Sequence, residues 1–375
     1  MKLFKAVLLM SILLMIGCQH TDETKEDNRI IEDFSEVVEE KDYIEVKEDT
    51  KKEITVTVGA IGDVLLHKRL YQHAEVDNGR YDFIPMLQGV EDLLQSPDFL
   101  MANIESIPGG VDIGLSTYPT FNSPQEIVTD LQSLGVDMVI GANNHTLDKG
   151  IKAIDSAIYL YDDVKMPYVG MYRDTEDRNN ARIVTVEDVS LGVLAYTYGT
   201  NGIPIPQGHE DVVALIDPIR IVDDVQKLRD QVDIVIVHMH WGSEYERKPN
   251  QTQRDLAQIL SAAGVDIIFG HHPHVLQPIE RLKDNDQETI VFFSLGNFYS
   301  GQNFDYTDIG GVATVEVTKV IEGDKSSVSL HSPQIEPTLV LHKKNGFFVV
   351  PMSEADSPSI SGATLEDIVE HTQVE

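Results

Sequence analysis

Six short apolar runs in this chain each end in side chains that bind metal ions or move protons. They are Ile61-Gly62-Asp63, Ala102-Asn103-Ile104-Glu105, Gly141-Ala142-Asn143-Asn144-His145, His238-Met239-His240-Trp241-Gly242, Gly270-His271-His272-Pro273-His274 and Ser294-Leu295-Gly296-Asn297. In open α/β sheets, ligands bind beyond the carboxyl ends of the strands, so six such ends point to one shared crevice. Extended backbone puts residues i and i+2 on one side. Asn103 and Glu105 share that relation, as do His238 and His240. Pro273 biases His272 toward extended backbone, so that His272 and His274 aim at one point while His271 faces away. Carboxylate, amide and imidazole donors without thiolate suit Mn, Fe or Zn, one ion or two. A carboxylate can bridge two ions ~3.5–4 Å apart, an arrangement that activates water for hydrolysis.

The other residues around these ends read in more than one way. His238 lies deeper in its run than His240 and serves either the core or the site's support. Trp241 is a substrate wall or a lid on the core, and Glu244 with Tyr245 contacts substrate or occupies an exposed loop. Asn297 hydrogen-bonds the site or closes its own loop, and His67 belongs to the surface of the following helix.

Elements of α/β type must position these groups. Strands are expected at Ile54–Ile61, Phe99–Ala102, Met138–Ile140, Ile183–Val186, Val193–Tyr196, Ile234–Val237, Ile267–Phe269 and Val291–Phe293, alternating with amphipathic helical patterns. Ser123-Pro124-Gln125-Glu126 reads as a helix start capped by Ser123. Asp217-Pro218 and Asn250…Gln253 open two more helices. Alternation after Gly310-Gly311 predicts an antiparallel strand, with another over Gln334–Leu341. Residues 353–375 are expected to be a loose acidic tail, apart from a helical turn or two at Leu365–Val369.

Composition narrows the function classes. The chain has 375 residues, 29 basic and 62 acidic, for a net charge of −33. Such a surface repels a phosphate backbone, so nucleic acid is excluded as a broad-face partner. An anionic polymer needs a local cation, such as a bound metal, to receive it. Lys2 and Lys5, the apolar run 6–16 and Gly17-Cys18 read as a secretory signal over 1–17. Its end resembles a bacterial lipobox, which would leave Cys18 lipid-modified on the extracytoplasmic face of the cell membrane; the alternatives are a plain anchor or an ordinary signal with an incidental cysteine. Residues 18–53 are acidic and poor in large apolar side chains, a solvated tether.

Taken together, several motifs resemble a known family. Gly62-Asp63, Asn103-x-Glu105, Gly141-Ala142-Asn143-Asn144-His145-x-x-Asp148-x-Gly150, His240-Trp241-Gly242-x-Glu244-Tyr245, Gly270-x-His272-Pro273-His274 and Ser294-Leu295-Gly296-Asn297-Phe298 look like the capsule-synthesis CapA family, which includes the poly-γ-glutamate synthesis PgsA proteins. That family is related to the calcineurin-like metallophosphoesterases. The resemblance implies a metallophosphatase-like sandwich of two β-sheets flanked by helices, over residues 54–352. It implies Asp63 as the first-strand ligand, Glu105 where the superfamily has a bridging aspartate, Asn144 as a ligand, and His240, His272 and His274 as the imidazole set. His145 would protonate a leaving group or steady transition-state charge, and Asp148, three residues on, is the candidate to orient it; the alternative is that Asn144 and His145 only order a turn. Asn103, Trp241, Glu244 and Asn297 are the candidate substrate contacts. Leu65 stands where the superfamily has a histidine. Three functions follow: a membrane-anchored hydrolytic member of capsule-polymer synthesis, a non-catalytic tethered subunit that binds the polymer or the membrane synthase, or a general secreted phosphoesterase.

Overall fold

The computed structural model describes residues 51–373 apart from 78 and 285–286; the signal, Cys18 and nearly all of the tether lie outside the described residues. Strand β1 (Lys52–Leu65) leads to α1 (Lys68–Ala74), a small hairpin of β2 (Glu75–Asp77) and β3 (Arg80–Tyr81), and short helices α2 (Ile84–Leu87) and α3 (Glu91–Leu94). Strand and helix then alternate through β4 (Phe99–Ile104), α4 (Glu126–Ser133), β5 (Met138–Ile140), α5 (Ile151–Val164) and β6 (Tyr168–Val169). After α6 (Thr175–Asn179) come β7 (Ile183–Val186), β8 (Val189–Thr197), α7 (Pro218–Arg229), β9 (Ile234–His240), α8 (Gln251–Ala263) and β10 (Ile267–His271). The chain closes with β11 (Ile279–Asp284), β12 (Gln287–Phe292), β13 (Asn297–Ser300), β14 (Ile309–Glu322), β15 (Lys325–Lys343), β16 (Gly346–Pro351) and α9 (Leu365–Thr372).

Apart from the β2–β3 hairpin, these strands make two sheets, in the orders β16-β15-β14-β1-β4-β5-β6 and β11-β12-β10-β9-β8-β7, with β13 beside the end of β1. The centre of each sheet is parallel: β1, β4, β5 and β6 in the first, and β8, β9, β10 and β12 in the second. Parallel strands covered on both faces read as continuous apolar runs, as in the fully buried Ile-Val-Ile-Val-His-Met-His of β9. Alternation divides the core. Val56, Val58 and Ala60 of β1 join a cluster with Ile236 and Phe269 of the second sheet. Leu100, Ala102 and Val139 join another with Ile127 and Leu131 of α4 and Ile154 and Ile158 of α5. Ile221 and Val225 of α7 and Leu260 of α8 cover the second sheet. The protein is therefore a sandwich of two sheets flanked by helices, the expected α/β architecture.

Local chemistry explains the helix starts. The Asp217 carboxylate accepts from the amides of Ile219 and Arg220, with Pro218 at the first position. Asn250 and Gln253 form a capping box. Ser123 does not cap α4, contrary to expectation. Its hydroxyl donates to the carbonyls of Ser106 and Ile107, and the helix begins at Glu126 with no side-chain cap. The C-terminal stretch also differs from a loose tail. Helix α9 has a Thr364/Asp367 capping box and buries Ile368 in the inter-sheet cluster. Among the described residues, no helix is long and apolar enough to cross a membrane.

Candidate metal centre

The parallel centres bring the polar strand ends to one place. Asp63, near the end of β1, lies opposite Asn297 at the start of β13, and both are buried. Gly62 makes this approach possible, because a Cβ there would sit 2.3 Å from the carbonyl oxygen of Gly296. Glu105 follows β4, Asn144 follows β5, His240 ends β9, and His272 and His274 follow β10.

The ligating atoms fall into overlapping groups. One nitrogen or oxygen from each of Glu105, His240 and His272 lies within 4.8 Å of the others, and the same holds for Asp63, Glu105 and His274. Glu105 belongs to both, the relation expected of a carboxylate between two cations. His240 Nε2 is 2.8 Å from Asn144 Oδ1 and 3.5 Å from Glu105 Oε1. His274 Nδ1 is 3.1 Å from Asp63 Oδ2 and 3.7 Å from Glu105 Oε2. Glu244, which is exposed, forms a third group with His272 and His274.

Unpaired buried atoms test whether these residues fit a cation. Both oxygens of Glu105 and Nδ1 of His240 and of His272 are buried without a hydrogen-bond partner. An unsatisfied buried polar atom costs ~1–3 kcal/mol, more for a charged one, and a cation among these atoms would relieve that cost. The donor set of carboxylate, amide oxygen and imidazole fits a transition-metal dication. Charge balance agrees. Burial pushes Glu105 up to about 7, aided by the neighbouring Asp63 carboxylate and opposed by His274. Burial also raises Asp63, but hydrogen bonds from His271 and His274 outweigh it and hold the carboxyl well below its ordinary value. Burial alone would lower His274; the Glu105 and Asp63 carboxylates lift it to about 9. His240 is held well below its usual value by burial, and His272 is lowered to about 2 by burial and by His240 and His274. Two imidazoles are thus kept neutral and ready to donate a lone pair.

The remaining groups hold the ligands in place. Asn103 Nδ2 donates to Asp63 Oδ1 at 2.7 Å, and Asn297 Oδ1 lies 3.1 Å from His274 Nδ1. Both amides are buried and bond to candidate ligand side chains, outside the lining of the neighbouring cleft, which places them as supports of the candidate ligands where substrate contact was expected. Trp241 does not line the site either. It is buried, its Nε1 donates to the carbonyl of Phe293 at 3.0 Å, and its ring stacks on Phe293, which makes it a lid on the core. His238 packs inward, 3.0 Å from His271 Nε2 and 3.2 Å from Met101 Sδ. His145 Nδ1 is 2.7 Å from Asp148 Oδ2, the expected orienting contact. The Asn143 side chain builds this turn, accepting from the His145 amide and donating to the carbonyl of Ile104.

Two expectations about β10 fail for one reason. His272 is not extended, with φ +95°, and His274 has φ +59°. The Asp63 carboxylate accepts the His272 amide at 3.3 Å, bending the loop over the site. Non-glycine residues there cost of order 1–3 kcal/mol each, strain typical of functional sites. The bend ends the alternation, so His271 points toward Asp63, with Nδ1 3.3 Å from Oδ1, instead of away. His67 is likewise not simply a surface residue: it precedes α1, half-buried, edge-on to Phe121 at 5.2 Å. Sequence reasoning missed Tyr198, whose ring lies 4.6 Å from that of His272, and Asn201, whose Oδ1 accepts from Asn144 Nδ2 at 3.1 Å. The missed signal was a seventh polar cluster, Tyr198-Gly199-Thr200-Asn201-Gly202, after the run of β8.

A family model described as bacterial capsule synthesis protein PGA_cap matches residues 57–302. A PGA biosynthesis protein CapA from Bacillus subtilis is 27% identical over 70% of this chain and 67% of its own length. A capsule biosynthesis protein CapA from Bacillus anthracis is 28% identical over 70% of this chain and 63% of its own. This chain thus spans about two thirds of the length of these relatives. Among solved structures, the calcineurin-like phosphoesterase YfkN from Bacillus subtilis is 15% identical with a TM-score of 0.41, covering 75% of this chain and 91% of that one. A 5'-nucleotidase precursor from Thermus thermophilus is 15% identical with a TM-score of 0.47, covering 76% and 54%.

Proposed function

The chain belongs to the bacterial capsule synthesis protein family, and from that premise we propose that it is an accessory protein of poly-γ-glutamate capsule biosynthesis or export, anchored at the outer face of the cell membrane through Cys18, whose buried centre performs metal-assisted hydrolysis. The observation that supports the chemistry most is Glu105, shared by two ligand groups with both oxygens buried and unpartnered. Asp63, Glu105 and His274 would hold one ion, and Glu105, Asn144, His240 and His272 the other. Ions bound there would supply Lewis-acid charge and a nucleophilic water at neutral pH. Asn103 and Asn297 fix the ligands, and Asp148 fixes the His145 ring. With the Nδ1 proton held by Asp148, Nε2 of His145 is the atom that exchanges a proton with the departing group. The reacting bond would be an amide or phosphoester of the polymer or its precursor.

The full chain should copurify with, or bind, one or two transition-metal ions, measured by elemental analysis, and should turn over γ-linked oligoglutamate or a generic phosphodiester. Asp63→Ala with His274→Ala should abolish binding at unchanged circular dichroism. Metal retained by the double variant would end the proposed assignment. Leu65 favours a second reading, a non-catalytic subunit that binds the polymer or the synthase. It is buried and apolar where the related phosphoesterases carry a histidine, which leaves the Asp63 position with fewer donors. Metal and oligomer binding without turnover of any substrate would support it.

A further inference from the structure

Beside the metal centre, on the Asp63 and His274 side, lies a cleft of about 780 Å³, within the size range of ligand sites. Lys68 and Arg69 line it, and neither pairs with a carboxylate among the described residues, although the protein carries −33. Lys68 is exposed. The Arg69 guanidinium is partly buried, lies over the Phe347 ring at 4.9 Å and donates to the carbonyl of Gly301, which anchors it at the wall. The approach is tight: a Cβ on Gly301 would sit 3.1 Å from Arg69 Nε. At the mouth stand three large apolar side chains that are well exposed: Tyr118 at 75%, Phe304 at 55% and Tyr245 at 42%. The Tyr245 and Phe304 rings meet edge to face at 5.3 Å. One carboxylate, Glu244, also lines the cleft, but at the metal end, within reach of His272 and His274, where a bound cation would offset it.

We propose that this cleft is the subsite for a carboxylate-bearing chain, with Lys68 and Arg69 as counter-charges and Tyr118, Tyr245 and Phe304 as an aromatic lip against the chain's methylene and amide stretches. The inference rests on the polymer reading above. Two unpaired cations in an acidic protein are the local positive charge that a polyanion requires to approach it at all. An inorganic phosphate would use the cations but leave the lip idle. A repeating chain with charges spaced by apolar segments uses both, because aromatic side chains contribute contact area while an ammonium or guanidinium fixes each carboxylate.

The test is calorimetric titration of the full, metal-loaded chain with γ-linked oligoglutamate, its neutral γ-linked oligoglutamine counterpart, inorganic phosphate and adenosine monophosphate. Lys68→Ala and Arg69→Gln should each weaken oligoglutamate binding by ~3–10-fold and together flatten its salt dependence, as expected for charges at the rim of an interface. Tyr118→Ala should weaken both oligomers by a similar factor. Lys68 and Tyr118 are exposed, so these two variants should melt like the parent and keep the test open if Arg69→Gln does not fold. Unchanged affinity in the Lys68→Ala variant would overturn the proposal, as would phosphate binding as tightly as the oligomer, or a nucleotide that binds more tightly and is the ligand lost in the variants. The outcomes for the chemistry are separate. Oligomer binding that depends on these residues without hydrolysis keeps the subsite and rejects the hydrolase. Hydrolysis whose KM ignores both cations does the reverse.

Discussion

His145 and His274 lie at the same centre but should behave differently. His145 is held by Asp148 and lies in none of the three ligand groups, whereas His274 lies in two of them. A positioned proton donor contributes typically ~10²–10⁴-fold, so His145→Ala should keep its metal and lose about that factor, chiefly in kcat. His274→Ala should lose metal. Equal metal loss in both, by elemental analysis on preparations assayed for rate, would make His145 a ligand. A pH effect follows from His67, which burial lowers from 6.5 to about 4. The unfolded chain takes up this proton near 6.5 while the folded one does not until about 4. The contribution to stability is therefore complete above 6.5 and is lost as pH falls through that window. His67→Gln should lose less stability than the parent between about pH 7.5 and about pH 4.5 in metal-free urea titrations. A parallel loss in both proteins would contradict the assignment. At this scale most of the centre was legible: polar residues after apolar runs named the members of the two groups that share Glu105, whereas Glu244, read as a substrate contact or a loop residue, falls in the third. His271 was not, because alternation holds only while the backbone stays extended, and at His272 it does not.

At the scale of elements, the close approach of β10 to the end of β12, its neighbour in the second sheet, depends on a residue without a side chain. A Cβ on Gly270 would lie 2.0 Å from the carbonyl oxygen of Phe293, with no flexible atom to yield. Gly270→Ala must therefore push β10 and the His271–His274 loop away from the strand beside it. The expected loss is on the order of 4 kcal/mol, the range of severe core lesions. Gly199→Ala, where nothing lies within 4 Å, is the control and should be neutral. Urea midpoints compare them, and equal midpoints would mean that the backbone there has room. Long buried strands such as β1, β9 and β10 were visible as apolar runs, and the acidic or amide caps of α7 and α8 marked their starts. β6 has only two residues and β11 has only Ile279 and Leu282 among four charged residues, so neither carries a period; β13, Asn-Phe-Tyr-Ser, follows a glycine turn and reads as loop. Ser123 misled because a serine before proline has a second use, bracing the carbonyls after β4.

For the whole molecule, charge and attachment are one question. A chain at −33 is repelled by an anionic leaflet, since each basic residue near such a surface contributes ~1 kcal/mol of attraction and acidic ones oppose it. Net charge therefore supplies no attraction to such a surface, and the proposed anchor is covalent lipid on Cys18, each buried methylene adding ~0.8 kcal/mol. The residues between Cys18 and Lys52 set an upper limit on reach of roughly 110 Å at full extension. Cys18→Ala should then either move the protein from the membrane fraction to the medium or leave an unprocessed precursor. In the released form, metal content and oligomer affinity should match the parent, because the centre and the cleft lie wholly within 51–373. If the proposed lipid is the attachment, raising salt should not detach the parent. Fractionation with and without a salt wash, followed by mass measurement of the N-terminus, checks each step. Membrane retention and processing unchanged in Cys18→Ala would show that the attachment lies elsewhere, and release of the parent by salt alone would show that it is ionic.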